Sequence, residues 1–281
     1  MSFDVNHILL PIVLLPILGA LYNGIMGRRV DKSVVTAVAV GSVVGSFLLS
    51  LVGFGSLFSA DEGVRPFLVH DVYEWFTISV GSVEQGVEVP IRVRFVMDHL
   101  SGLMTVMVTG IGALIHVYST GYMEDDPGYA RFMTYLNLFM ASMLVLGLAS
   151  NLPLMFVGWE GVGLCSYLLI GYWFTNKEYA AAGKKAFIVN RIGDFGVLIG
   201  MFILVAYVAP RNPDAFEFST INAMARTSAA TGLGLGDAPF TFAGGTATFT
   251  VATIAGLFIF LGCTGKSAQI PLYVWLPDAM A

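Results

Sequence analysis

Glu160 and Lys266 are the residues of this sequence that most demand a chemical explanation. Glu160 stands in Phe156-Val157-Gly158-Trp159-Glu160-Gly161-Val162-Gly163-Leu164, with apolar or small residues for seven or more positions on each side. A carboxylate placed so deep in an apolar run cannot snorkel to water. An ionisable group near a bilayer centre costs about 2.5–3.5 kcal/mol on insertion scales. Such a group needs a partner, a water-filled cavity, or a proton. Glu160 therefore reads either as a proton-exchanging acid or as a buried acid that only ties helices together. The glycines at 158, 161 and 163 permit close helix approach and leave room for water beside the carboxylate.

Lys266 stands in Phe260-Leu261-Gly262-Cys263-Thr264-Gly265-Lys266-Ser267-Ala268-Gln269-Ile270-Pro271, behind an apolar run from Phe249. In a helix Pro271 would remove a backbone donor and clash with residue 267. The spacing predicts a broken or kinked helix with Lys266 at the break. Breaks of this kind occur where backbone lines a cavity or lies inside protein, and transporters use them at binding sites. A buried lysine can exchange its proton near neutrality. The alternative is a lysine that snorkels to the membrane face from a helix end.

Four further groups belong to this inventory. Arg191 and Asp194 are three apart and share one helical face. They form an internal ion pair, or Asp194 pairs instead with Lys266. Lys185 opens the same span. His116 sits near the inner end of its span, and an unperturbed imidazole pKa of about 6.5 suits a proton relay; it reads equally as a packed core histidine. Tyr135, Asn137, Ser142, Ser166 and Tyr167 offer groups for a water chain, with no spacing to single them out. One carboxylate, one amine and a second charge pair at membrane depth suit proton movement between groups that sense each other's charge.

The elements that must position these groups follow from composition. Of 281 residues, 56% are hydrophobic and 12% charged, against roughly 25% charged in a soluble domain. This excludes an ordinary cytosolic fold and predicts an all-α integral membrane protein. The apolar runs place about seven spans, near 8–26, 34–57, 99–119, 132–150, 152–174, 186–209 and 248–275, the seventh discontinuous. Asn151-Leu152-Pro153 marks a tight turn between the fourth and fifth. Within the polar segment 59–98, residues 75–80 and 87–95 alternate around Gly81 and Gly86. They predict a small β-hairpin on the outer surface, gripping a neighbour, with Pro90 on an edge strand. Residues 210–245 predict a second outer loop with a short surface helix over 216–226.

Arg28, Arg29 and Lys32 in one loop and Lys177, Lys184 and Lys185 in another place both loops inside if the N-terminus is outside. The N-terminal apolar run has its positive charge after it, so it predicts a retained first span and not a cleaved leader. The formal charge of −5 offers no basic patch for nucleic acid. Cys165 and Cys263 lie in separate apolar runs and read as packing residues, not as metal ligands or a disulfide.

Several of these segments together carry a family resemblance. Gly158 to Gly171, Gly265 to Leu272 with Trp275-Leu276-Pro277-Asp278-Ala279-Met280-Ala281, Lys185 to Asp194, and Met97-Asp98-His99-Leu100-Ser101-Gly102-Leu103 resemble the subunit L family of bacterial NADH–quinone oxidoreductase, respiratory complex I. The likeness runs from about residue 90 to the end and more weakly over the first 60. It implies one antiporter-like membrane domain over 1–281, at the distal end of the membrane arm of a bacterial inner-membrane complex. It implies that Glu160 and Lys266 form a charge pair central to proton translocation, with Arg191 and Asp194 on the same polar axis. It also implies a discontinuous seventh helix. NADH, flavin, iron–sulfur clusters and quinone are expected on partner subunits, with no cofactor or metal held by this chain. The family has about twice this length in two inverted repeats, so the second repeat is expected on a continuation or a separate chain.

Rival classes share parts of this pattern, among them a purely structural membrane-arm piece that moves no protons. A retinal protein also has seven spans and a lysine in the seventh, yet the third span offers no acid as counter-ion between Ser101 and His116. A related subunit of a cation/proton antiporter or inorganic-carbon uptake complex shares the fold; copurification with NADH-oxidising subunits separates the two.

Overall fold

The computed structural model describes residues 5–59, 66–81, 86–226, 234–236, 238–242 and 245–280. In chain order the elements are α1 (Leu9–Met26, after a 3-10 turn Val5–Ile8), α2 (Lys32–Ser56), β1 (Leu68–Val80), β2 (Val87–Met97), α3 (His99–Tyr122), α4 (Tyr129–Leu148), α5 (Leu152–Ile170), α6 (Lys177–Val208), α7 (Phe218–Arg226), β3 (Pro239–Phe242), β4 (Gly245–Thr250), α8 (Val251–Lys266) and α9 (Leu276–Ala279). Among the described residues six helical segments are long and apolar enough to cross a membrane: Val5–Met26, α2, α3, α4, α5 and α6. This is a multi-pass membrane fold with a small two-stranded β1–β2 sheet.

The chain divides into two compact units. The first comprises residues 1–72, 93–149 and 154–175; the second comprises 73–92, 150–153 and 176–281. Within the first, α1 packs on α2 and α4, and α2 packs on α3. Leu9, Ile12, Val43, Met97, Met140 and Leu144 fill its core. Polar side chains tie the same helices where lipid offers no competing water. Ser46 Oγ donates to Ile12 O at 2.8 Å, and Asn137 Nδ2 donates to Ser42 Oγ at 2.7 Å. The outward faces stay apolar, with Leu114 at 70% exposure and Ile25 at 64%. Such surface is stable only against hydrocarbon or another protein.

α3 begins where the sequence supplies a reciprocal cap. Asp98 Oδ1 accepts from Ser101 N, and Ser101 Oγ accepts from Asp98 N, each at 2.8 Å. The turn from α3 to α4 is held by Asp126, whose Oδ1 accepts from Gly128 N at 2.6 Å and from Tyr172 Oη at 3.2 Å. Its Oδ2 accepts from Trp173 Nε1 at 2.9 Å. Partial burial pushes the Asp126 carboxyl up, but these hydrogen bonds and the nearby Arg131 charge outweigh it, so its pKa lies below the usual aspartate value.

Within the second unit α6 and α8 form the main helix pair, and small residues make the seam. A Cβ on Gly196 would stand 2.8 Å from Phe258 O, so only glycine lets the backbones approach this closely here. The β1–β2 sheet is fastened midway along β2 by Arg92, whose Nη1 pairs with Asp214 Oδ1 at 2.8 Å. Asn151 Nδ2 donates to Arg92 O at 2.8 Å.

Several expected boundaries move. The strands run over Leu68–Val80 and Val87–Met97, longer than 75–80 and 87–95. The short helix expected over 216–226 is α7, Phe218–Arg226. α6 starts at Lys177, not near 186, because Asn176 Oδ1 caps Glu178 N at 2.9 Å and Ala180-Ala181-Ala182 favour helix. Its 32 residues span about 48 Å, so Lys177, Lys184 and Lys185 extend a helix and do not form a loop. The seventh apolar run, 248–275, is discontinuous as expected, with its helix ending at Lys266. α8 has 16 residues, Val251–Lys266, about 24 Å long and short of the roughly 30 Å hydrocarbon thickness. A second antiparallel pair, β3 with β4, precedes it, in register Pro239↔Thr250 and Phe242↔Gly245.

Candidate functional site

The site is best built from the end of α8. Pro271 forbids a helical carbonyl at residue 267, and the helix stops one residue earlier, at Lys266, with Ser267 as its cap. Ala268 then takes a left-handed conformation, φ 49°, which costs a non-glycine residue about 1 kcal/mol or more. Gln269 N closes the turn on Thr264 O at 2.8 Å. Lys266 is thus the last helical residue, where the helix dipole favours a cation.

Opposite it stands α6. Lys266 Nζ lies 3.5 Å from Asp194 Oδ1, with side-chain exposures of 19% and 4%. Of the two pairings left open for Asp194, this contact with Lys266 is present across the seam. Arg191 is exposed and its guanidinium lies over the Phe187 ring at 4.7 Å. Lys185 Nζ meets Asp278 Oδ2 of α9 at 2.6 Å, and both are about half exposed. Trp275 Nε1 donates to Gly265 O at 3.0 Å. Together these bonds return the segment beyond the break to α6 and α8.

Three glycines permit the closeness. A Cβ on Gly193 would lie 3.2 Å from Gly262 O and 3.4 Å from Gly265 Cα. With backbones that near, Asp194 and Lys266 share a largely enclosed space. Breaking a buried pair by removing one charge costs about 3–5 kcal/mol. Protonating Asp194 or deprotonating Lys266 removes one charge in the same sense, so each charge supports the other.

Glu160 and His116 belong to the other unit. Glu160 is half-buried on α5. α5 approaches α4 closely at this level, since a Cβ on Gly161 would fall 2.5 Å from Ser142 Oγ. His116 is 2% exposed on α3, and its Nδ1 lies 2.7 Å from Gly112 O one turn back. His116 Nε2 is buried with no hydrogen-bond partner among the described residues.

Sequence reasoning missed three contributors. Asn190 lies one turn before Asp194 on the same face, and that four-residue spacing was the available signal. Trp275 and Asp278 belong to a motif noted only for its likeness, and nothing in their spacing points back to Gly265 or Lys185.

Comparison with known proteins agrees with this architecture. Residues 149–281 match a family model described as NADH:quinone oxidoreductase/Mrp antiporter, transmembrane. Residues 85–133 match one described as NADH-ubiquinone oxidoreductase (complex I), chain 5 N-terminus. The NADH-quinone oxidoreductase subunit L of Rickettsia bellii is 36% identical over 276 residues, 98% of this chain and 39% of the relative. That of Mycobacterium tuberculosis is 38% identical over 274 residues, 96% of this chain and 37% of the relative. The NAD(P)H-quinone oxidoreductase chain 5 of a Picosynechococcus species is 38% identical over 275 residues, 96% and 37% of the two chains. The chain spans about two fifths of the length of these curated relatives.

Proposed function

Because this chain belongs to the family of antiporter-like membrane subunits that includes NADH-quinone oxidoreductase subunit L, we propose that it works as part of a proton-translocating membrane-arm subunit of such a complex. The observation that carries the proposal is the Lys266–Asp194 pair, 3.5 Å apart and largely buried at the broken end of α8. An ammonium and a carboxylate so placed can each be stabilised or released by the proton on the other. Glu160 supplies a further acid within an apolar helix. Arg191, Lys185 and His116 are assigned supporting roles in proton transfer.

In this reading nicotinamide, flavin, iron–sulfur and quinone chemistry belongs to partner subunits, and the chain contributes transport alone. Its partners are the other membrane-arm subunits and the family's second repeat, continuous with this chain or encoded separately. The surrounding medium is a bacterial inner membrane with the N-terminus outside, a reading supported by Arg28 and Arg29 in the turn between α1 and α2.

The test is proton pumping coupled to NADH oxidation in inverted vesicles holding the assembled complex. Glu160→Gln and Lys266→Ala should each lower the protons moved per NADH oxidised. Unchanged stoichiometry in both variants would overturn the proposal. A second reading, a subunit of a cation/proton antiporter, is favoured by the breadth of the model matching 149–281. Copurification without NADH-oxidising subunits would select it.

A further inference from the structure

The inference concerns Asn190 and rests on the reading that proton movement works the Lys266–Asp194 pair. Asn190 is 5% exposed and stands one turn before Asp194 on α6, so both side chains project from the face against α8. Its Oδ1 is enclosed and has no hydrogen-bond donor among the described residues. Buried amide oxygens are nearly always satisfied, and one that is not carries its full desolvation penalty. The direction of that oxygen is defined: a Cβ on Gly265 would lie 3.6 Å from Asn190 Oδ1. Gly265 immediately precedes Lys266. An unused acceptor therefore faces the turn that carries the ammonium.

An ammonium can serve more than one acceptor. It carries three N–H groups. Its 3.5 Å approach to Asp194 Oδ1 is looser than the roughly 2.7–2.9 Å of a tight charge-assisted bond. The neighbouring Gly265 carbonyl is already taken by Trp275 Nε1 at 3.0 Å.

We propose that Asn190 Oδ1 is a second acceptor for the Lys266 ammonium, the seat that holds it when Asp194 takes up a proton or the lysine swings away. An amide oxygen carries no net charge, so it holds a cation more weakly than a carboxylate and releases it again. Asn190 is then a positioning residue that acts through Lys266. Cys263 lies one turn before Lys266 on α8. α6 presents Asp194, with Arg191 lying over Phe187 and Lys185 paired to Asp278 of α9. The 267–275 turn carries Tyr273, half exposed, and β3 and β4 carry no titratable side chain.

The experiment measures protons pumped per NADH across pH, in vesicles holding the assembled complex, for Asn190→Leu, Asn190→Gln and Asn190→Asp beside Lys266→Ala. Leucine removes the acceptor, so the alkaline limb of pumping should move about one pH unit towards acid. Aspartate should move it towards alkali, and glutamine should restore it. If Asn190→Leu does not assemble, the Asp and Gln variants decide the question. An alkaline limb that stays in place in every assembling variant overturns the role of Asn190. If Lys266→Ala pumps normally, both this inference and the reading beneath it fail. If Lys266→Ala stops pumping while the Asn190 variants keep the parental limb, only this inference fails.

Discussion

Lys185 and Asp278 form a 2.6 Å ion pair across 93 residues of sequence. The pair ties α9, beyond the helix break, to the helix that carries Asp194. Both partners are about half exposed, and such pairs contribute at most about 1 kcal/mol to stability. The value of this one lies in position. Asp278→Asn should change the melting temperature little and should speed hydrogen exchange of residues 267–280. Exchange equal to that of the parent would show that the pair holds nothing.

The Lys266–Asp194 pair should behave differently. Asp194→Asn leaves an ammonium that is largely buried without its carboxylate, and the loss should be about 3–5 kcal/mol. Adding Lys266→Met should recover much of it, because the stranded charge is gone. A double-mutant cycle on the purified subunit, read by thermal unfolding in detergent, checks this. Additive losses would mean that the two side chains do not interact.

Packing at the α6–α8 seam can be tested with a single methyl group. Gly196→Ala would put its Cβ 2.8 Å from Phe258 O, which must then shift. A destabilisation of about 1–3 kcal/mol is expected. Gly256→Ala, where nothing lies within 4 Å, should be neutral or stabilising by up to about 1 kcal/mol through helix propensity. Equal effects at both sites would argue against the seam.

The turn between α3 and α4 should depend on pH through Asp126. Its carboxyl lies below the ordinary aspartate value of 3.8 because Trp173, Gly128 and Tyr172 donate to it, despite the opposing effect of burial. A depressed folded pKa adds stability that is complete above the unfolded value. Protection of the Gly128 amide should therefore be flat from pH 7 to about pH 5 and fall as the pH drops through the folded value. Asp126→Asn should abolish that acid dependence. A parental acid response in the Asn variant would assign it to another group.

Much of the architecture was legible in the residues. Long apolar runs with few charges leave a chain no stable state in water, so α1 to α6 could be placed by composition alone. The period-two pattern around Val89, Ile91 and Phe95 announced a strand, and all three are buried. Pro271 announced the end of α8, because its ring excludes a helical residue 267. Boundaries were less readable. The polar start of α6 hid inside what looked like a basic loop, since a capping asparagine and three alanines carry no hydrophobic signal. The β3–β4 pair was missed although Gly244-Gly245 stands between alternating Thr and Phe.

The sequence by itself determined which charges must live at membrane depth and need an answer there. Glu160, Asp194 and Lys266 lie within apolar runs, and the cost of burying charge holds whatever the fold. Tertiary structure decided which charge answers which. The sequence offered Asp194 both Arg191 and Lys266 as partners, and Lys185 could have joined the same buried set. Glycine-sized contacts at Gly193, Gly196 and Gly262 set how closely α8 lies on α6, and that approach brings Lys266 to Asp194 while sending Lys185 to Asp278. A lysine ammonium reaches only a few ångströms from its backbone, so the pairing depends on where helices cross, which no local run of residues encodes.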